Sequence, residues 1–295
     1  MNKTKASIIK VMNMIIALIF DIDGSIMPQG GPIDPRVGQL FLLLERLGVK
    51  QGPATGKNCD YGRGLACGVG VVWDFIIGET GAQFLETVSK TGQPVYRQHK
   101  PAAVGNDLSI FARKIELDQL ARIFKTYNQS GESPESYRPE LKEGIITLFP
   151  PGQNIGVSEA WAAYFQDVVR IYRLNLKVQR HSDGCIDIVP SAVSKLLGVQ
   201  KVCELYNCQP DKLLVVVDGI NDRELTYNGT NVIAVSNAVD EIKEAAKKGG
   251  GFVATLPDGR GFAQGLKDYA ERGFFGKEAG GAIIEAVDVS GLLSK

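Results

Sequence analysis

Asp21 and Asp23 stand two residues apart, directly behind the wholly apolar run Met14–Phe20 (MIIALIF). Carboxylates leaving a buried segment are costly unless they meet a cation or a proton. A second acidic pair, Asp218 and Asp222, follows the run Lys212–Val217 (KLLVVV), with Gly219 and Asn221 between them. Four carboxylates at one rim repel each other, and an oxygen-rich cluster of this kind suits magnesium, which keeps several waters and takes few protein carboxylates. Lys195 brings a further positive charge, and Ser25 and Thr55-Gly56-Lys57 bring hydroxyls and backbone amides at other strand ends. A cation, a lysine and convergent N–H groups are what a phosphoryl group in transfer requires. Alone, a D-x-D is often a turn or helix cap, and a Thr-Gly says nothing. All of these groups in order, each behind a predicted strand, argue for one site.

The elements that must position them follow from hydrophobic patterning. Met14–Phe20 and Lys212–Val217 read as central parallel strands covered on both faces. Asp34-Pro35 starts a helix that sets Val37, Leu40, Phe41, Leu44 and Leu47 on one face and stops at Gly48. Val49–Ala54 and Val71–Ile77 read as further strands, with a helix over Asn58–Cys67 between them. Towards the C-terminus the pattern returns: a helix over Ser191–Tyr206, a short helix over Asp222–Tyr227, a strand over Asn231–Val235, and helices at Ala238–Lys248, Gly261–Arg272 and Gly281–Val287. This is the alternation of an α/β, Rossmann-like, doubly wound parallel sheet. Sites in such sheets lie beyond the carboxyl ends of the strands, at a topological switch point.

The middle of the chain is different. Helices over Asn106–Tyr127 and Ser158–Tyr172 alternate with short runs at Gly144–Phe149 and Leu174–Gln179, around a polar Ser/Pro-rich stretch at Gln129–Pro139. The expected organisation is a core made of residues 1–85 and 186–295, interrupted by an inserted α+β domain at 86–185.

The 295 residues carry 33 Lys+Arg against 33 Asp+Glu, with 44% hydrophobic residues. That apolar content builds a core and excludes disorder as the main state. Balanced charge argues against a nucleic-acid partner. The basic residues Lys3, Lys5 and Lys10 ahead of Met14–Phe20 superficially resemble a targeting signal. The run is far short of the ~20 residues that span a bilayer, so no membrane partner is expected and the first dozen residues read as a loose tail. The five cysteines, an odd number without a C-x-x-C pair, argue against a zinc site or disulfide framework. They fit reduced thiols and a cytoplasmic location.

DIDGS at Asp21–Ser25, ATGK at Ala54–Lys57, SK at Ser194–Lys195 and DGIND at Asp218–Asp222 resemble the four motifs of the haloacid dehalogenase superfamily. The large insertion between the second and third is similar to the α/β cap of its Cof-like (IIB) branch, and GETGAQF at Gly78–Phe84 resembles that branch's segment before the cap. The resemblance implies a magnesium-dependent phosphatase acting on a small phosphate ester, most simply a sugar phosphate. Asp21 would be the nucleophile, Asp23 the general acid and then base, and Lys195 the neutralising cation. Ser25, Thr55, Gly56, Lys57 and Asn221 would hold the phosphate, Asn221 alternatively positioning Lys195. Asp21, the Asp23 carbonyl, Asp218 and Asp222 would hold Mg2+.

Alternatives of the same chemistry are a phosphoglycolate phosphatase and a phosphomutase. A receiver-like phospho-aspartate signalling module uses a similar acidic cluster but needs neither the second aspartate nor a hundred-residue insertion. Ser25 stands where threonine is usual, Lys57 where arginine is common, and Val217 and Gly219 where the family often has glycine and serine; no catalytic group is missing. Tyr96–Lys100 and Arg180-His181 are basic clusters that could read the distal part of a substrate. A homo-oligomer is compatible with all of this.

Overall fold

All four residues of β1 (Ala17–Phe20) are buried, as the continuous apolar run requires of a strand covered on both faces. The computed structural model describes residues 14–91, 93–99, 107–127, 138–140, 142–150, 154–181, 184–226 and 229–294. The basic N-terminal tail, Lys100 and most of the Ser/Pro-rich stretch, residues 129–137, lie outside them. Helix α1 (Pro35–Arg46) begins as read from the sequence, with Pro35 in its first turn and the Asp34 carboxylate accepting the Arg36 N–H at 2.9 Å. It buries Val37, Leu40, Phe41 and Leu44.

β2 (Lys50–Pro53) pairs parallel with β1. α2 (Cys59–Val69) follows, capped by Asn58 at one end and by left-handed Gly70 at the other. β3 (Phe75–Gly78) lies beside the end of β2 through the Ala54–Ile77 bridge, then forms an antiparallel sheet with β4 (Gln83–Ser89) and β5 (Val95–His99). Phe20, Phe41 and Trp73 pack in tilted and edge-to-face pairs with ring centroids 4.9–5.2 Å apart, and the Trp73 indole N–H donates to the Gly62 carbonyl at 3.0 Å. This buried aromatic cluster anchors the residue immediately before Asp21.

The next elements form a separate α+β layer pair. They are α3 (Asp107–Lys114), α4 (Leu117–Tyr127), β6 (Arg138–Glu140), β7 (Ile146–Phe149), α5 (Ile155–Ile171), β8 (Leu176–Arg180) and β9 (Ile186–Pro190). Their sheet is antiparallel in the order β6-β7-β9-β8. Phe111, Leu148, Val157, Trp161, Phe165, Ile186 and Ile188 form its own core. The single helix expected over Asn106–Tyr127 is two helices that break at Ile115-Glu116, where Tyr164 Oη accepts the Glu116 N–H at 2.8 Å.

The chain then returns through α6 (Lys195–Tyr206), β10 (Leu213–Val217), the single turn α7 (Arg223–Thr226), β11 (Asn231–Ala234), α8 (Asp240–Lys248), β12 (Phe252–Val253), α9 (Asp258–Glu271) and α10 (Lys277–Ser290). The main sheet is parallel throughout, in the order β12-β11-β10-β1-β2. Every residue of β10 is fully buried, and a buried Val or Leu side chain is worth about 1.5–3 kcal/mol. The chain leaves β1 towards β2 on one side and comes back as β10 on the other, so the switch point lies between β1 and β10.

Two compact units result, one from the residues up to His99 together with those from Ser194 on, the other Lys100–Val193. These limits differ from the expected 86 and 185. Residues 86–99 belong to the first unit because β4 and β5 pair with β3 (Phe75 opposite Glu86, Glu86 opposite Arg97). Residues 186–190 belong to the second because β9 pairs with both β7 and β8. No helix among the described residues is long and apolar enough to cross a membrane.

Candidate active site

Parallel pairing brings two aspartates together that are far apart in sequence. Phe20 is level with Val216, and the Asp21 N–H donates to the Val216 carbonyl at 3.0 Å, so Asp21 leaves β1 beside the end of β10, where Asp218 follows. Lys195, the first residue of α6, is 1% exposed. Its Nζ donates to Asp21 Oδ1 and to Asp222 Oδ1, both at 2.6 Å. Asp222 is wholly buried, and its other oxygen accepts the Gly219 and Asp218 N–H groups at 3.3 and 3.4 Å. Ser25 Oγ donates to Asp218 Oδ1 at 2.8 Å.

Ligand atoms of Asp21, Asp218 and Asp222 all lie within 4.8 Å of one another. Three carboxylates therefore crowd around one ammonium, which is hydrogen-bonded to two of them. Burial pushes the Asp21 carboxyl well above the ordinary range, with the Asp222 and Asp218 charges adding to it and Lys195 opposing. Burial and the Asp222 charge push Asp218 up to about 7. Burial works against the Lys195 ammonium, but Asp21 and Asp222 outweigh it and hold it firmly charged. The donor set is all oxygen, hard and short of positive charge, which is the chemistry that a divalent cation such as magnesium satisfies.

The loop after β1 is tightly wound. Gly24 has φ 82°, and a Cβ there would stand 2.3 Å from Asp218 Oδ2. Its N–H donates to the Met27 carbonyl at 2.8 Å. Asp23 is half-buried and its carboxylate accepts the Gly30 N–H at 3.4 Å. Asp23 lies outside the three-carboxylate cluster, which leaves it free for a different role. Thr55, buried, takes its place through its N–H to the Ile77 carbonyl at 2.9 Å, and its hydroxyl accepts the Lys57 N–H at 3.1 Å. The Lys57 ammonium stands 5.7 Å from the Tyr61 ring centroid. Lys195 is hydrogen-bonded to Asp21 and Asp222 and not to Asn221, which is half-buried beside Gly219.

Three supporting residues escaped the sequence reading. Asn237 donates from its amide to the Gly24 carbonyl at 2.7 Å and accepts the Asp258 N–H at 3.0 Å, pinning the β1 loop to α9. Thr80, with φ 57°, donates its N–H to the Thr55 carbonyl at 3.0 Å. Gly81, at φ 97°, lets the chain approach so closely that a Cβ would lie 2.0 Å from the Ser194 carbonyl, just before Lys195. The only sequence signal for the last two was the GETGAQF stretch; Asn237 gave none.

The basic clusters resolve differently. Arg97 and His99 lie on β5 in the first unit and share Glu86, at 3.5 and 2.7 Å. In the second unit, Arg180 reaches Glu159 on α5 at 3.3 Å, while His181 meets Asp187 at 2.9 Å.

A parallel α/β sheet with carboxylates, a buried lysine and hydroxyls at its switch point defines a Rossmann-like enzyme of the phosphoryl-transfer kind. The sequence model of the haloacid dehalogenase-like hydrolases matches residues 18–258. The chain belongs to that family, as its motifs led us to expect. Among solved structures the same fold occurs in a Thermoplasma acidophilum protein, 0175, at 16% identity, covering 87% of this chain and 98% of that one with a TM-score of 0.63. It occurs in the sucrose-phosphatase of Synechocystis sp. PCC6803, solved with sucrose and phosphate, at 18% identity, 87% and 98% coverage and a TM-score of 0.58. It also occurs in a subclass IIB sugar phosphatase of the superfamily, at 17% identity, 88% and 99% coverage and a TM-score of 0.55.

Proposed function

We propose that this hydrolase is a magnesium-dependent phosphatase of small phosphate monoesters, with a sugar phosphate as substrate, working through an aspartyl-phosphate intermediate. The observation that carries the reading is the Lys195 ammonium at 2.6 Å from both Asp21 and Asp222, beside Asp218, at the switch point of the sheet. Asp21 attacks phosphorus with the carboxylate oxygen left free by Lys195, and the ester oxygen departs. Asp23, outside the cluster, donates the proton to that leaving oxygen and later takes one from the water that opens the acyl phosphate. Lys195 stays charged throughout and offsets the negative charge gathered by Asp21 and the phosphoryl group. Ser25, Thr55 and the amides of Gly56 and Lys57 hold the phosphate oxygens, with Asn221 beside them.

Magnesium would be held by Asp21, Asp218 and the Asp23 carbonyl, with Asp222 bracing the set, and would supply charge neutralisation at the phosphate. The Lys100–Val193 unit is the specificity domain, a role supported by its independent core. The carbohydrate assignment draws on the fold shared with a sucrose-phosphatase and a subclass IIB sugar phosphatase. The test is phosphate release from p-nitrophenyl phosphate and a panel of phosphorylated metabolites, with magnesium and with chelator. Repeated turnover that requires the metal and is fastest on sugar phosphates is the expected result. Full activity in chelator, or a single labelling event without turnover, would refute it.

A further inference from the structure

Cys203 and Cys208 lie at the far end of the helix that begins with Lys195, and the proposed chemistry uses neither. Helix α6 ends in a left-handed residue, Asn207 (φ 47°, ψ 51°). The Asn207 N–H donates to the Glu204 carbonyl at 3.3 Å, and the Cys208 N–H reaches back to the Cys203 carbonyl at 3.0 Å. This pair of bonds is a Schellman turn, which brings together the side chains two residues past the helix end and three positions before it. Usually two apolar groups meet there. Here the two positions are cysteines, brought together by the turn. Both are free and half-buried. They open into a surface groove of about 410 Å³, with Val199, Gln200, Asn207 and Pro210 around them.

We propose that Cys203 and Cys208 form a reversible intramolecular disulfide, a two-electron redox site built into the C-terminal cap of α6. Residues already joined by a backbone hydrogen bond need no chain movement to reach the Cα separation of a disulfide, roughly 4.4–6.8 Å. The oxidant is a low-molecular-weight disulfide. The Cys208 thiolate attacks one of its sulfurs, the oxidant's S–S bond breaks, and one thiolate leaves and takes up the proton that Cys208 gave up. Cys203 then loses its proton and attacks the Cys208 sulfur of the mixed disulfide. The Cys203–Cys208 bond forms and the second thiol departs. Two cysteine thiols are oxidised, and one external disulfide is reduced to two thiols.

The surroundings set the order and the pace. Burial pushes the Cys203 thiol up to about 12. Burial and the Asp211 charge also raise Cys208, but neighbouring Cys203 and the Lys212 charge oppose them, so Cys208 supplies the first thiolate. Scarce thiolate makes formation slow at neutral pH. It also means that the reduced pair gains no stabilised anion, so the bond, once made, resists monothiols.

The experiment treats the full chain with oxidised glutathione at pH 7.5 and 8.5, quenches in acid, alkylates the unfolded protein and maps its peptides. The expected product is a Cys203–Cys208 disulfide that forms about tenfold faster at the higher pH, as the thiolate fraction dictates. Exposed Cys67, which has no such neighbour, holds glutathione as a stable mixed disulfide and serves as the control. In Cys203→Ser, Cys208 holds a glutathione adduct instead of losing two hydrogens. Recovery of Cys203 and Cys208 both alkylated, or their linkage to Cys59, Cys67, Cys185 or another chain, would overturn the proposal. So would a lasting glutathione adduct on Cys208 of the unaltered chain.

Discussion

Each unit buries an acidic network, and the two are built to opposite ends. In the first, Asp21 and Asp222 share the ammonium of Lys195, and Asp218 lies beside them with only the Ser25 hydroxyl as its hydrogen-bond donor among the described residues. In the second, Asp187 on β9 stands opposite Thr147 on β7 and accepts its hydroxyl; His181 lies 2.9 Å from its other oxygen, and Lys142 reaches Thr147 at 2.6 Å. Burial acts to raise both sets. At Asp187 the His181 hydrogen bond and charge, with Lys142 and Thr147, overcome it and hold the carboxyl below its usual range. At Asp21 and Asp218 nothing overcomes it. A satisfied buried carboxylate is architecture, whereas an undersupplied cluster at a strand rim is poised for a ligand that brings positive charge.

The sharpest way to break this contrast is Asp21→Asn. Turnover should fall on the order of 10⁴-fold or more, as for other nucleophiles that act within a unit. Thermal stability should hold or rise, since one of three like charges is gone. Phosphate-release assays and a melting curve on the same undeamidated sample check both. Residual turnover near that of the unaltered enzyme would remove Asp21 from its role.

Lys195→Met takes away the shared ammonium. Breaking a buried ion pair from one side should destabilise by about 3–5 kcal/mol at pH 8. The loss should shrink at pH 5, where raised carboxyls accept protons in place of the lysine. Denaturant unfolding at the two pH values gives the difference, and activity on every ester should drop together.

Asp187→Asn probes the other network. We expect a loss of about 1.5–3 kcal/mol at neutral pH, the range for hydrogen bonds to a charged group. Because the folded Asp187 carboxyl is lowered, its contribution is present above the unfolded value near ~3.9 and disappears as pH falls through the folded one. The two proteins should therefore converge in acid. Turnover of p-nitrophenyl phosphate per folded molecule should change little.

The smallest effect concerns the cation. Asp218 is raised, so without metal its contribution to stability is present below the unfolded value near ~3.9 and is lost as pH rises towards 7, opposite in sign to Asp187. Protons and magnesium compete for it. Magnesium affinity should weaken about tenfold per pH unit below 7, with proton uptake by buffer on binding. Calorimetry in two buffers of different ionisation enthalpy reads this directly, and a pH-independent affinity would place the cation elsewhere.

The core was legible where one physical signal dominated. Continuous apolar runs gave β1, β10 and β11 to within a few residues, and Asp34-Pro35 gave the start of α1. The apolar run Val71–Ile77 starts ahead of its strand: Val71 caps α2 through its N–H to the Ala66 carbonyl, and β3 begins at Phe75. The expected insertion takes in residues 86–99, most of the β4–β5 hairpin, because the mixed polarity of that stretch matches neither a buried nor a half-buried strand, and only its pairing with β3 decides its place. Charge and spacing in the sequence pointed to Asp21, Asp218, Asp222 and Lys195, which the structure brings together. Asn237 stayed hidden because an exposed asparagine before a helix looks like any turn, and its bond to Gly24 exists only after β11 and β1 have joined one sheet.

The strand order has a consequence for how the chain is made. β1 needs β10 as its inner neighbour, yet the interval from Pro53 to Leu213 takes on the order of 8–30 s to synthesise at about 5–20 residues per second. Throughout that time the emerging β1–β2 pair presents an open, wholly apolar edge, the kind of surface that templates aggregation. The inserted unit, which has its own core, is complete before that edge is covered. Chaperone demand should therefore peak late in translation, and be relieved by a circular permutant that starts at α6 and delivers β10 before β1.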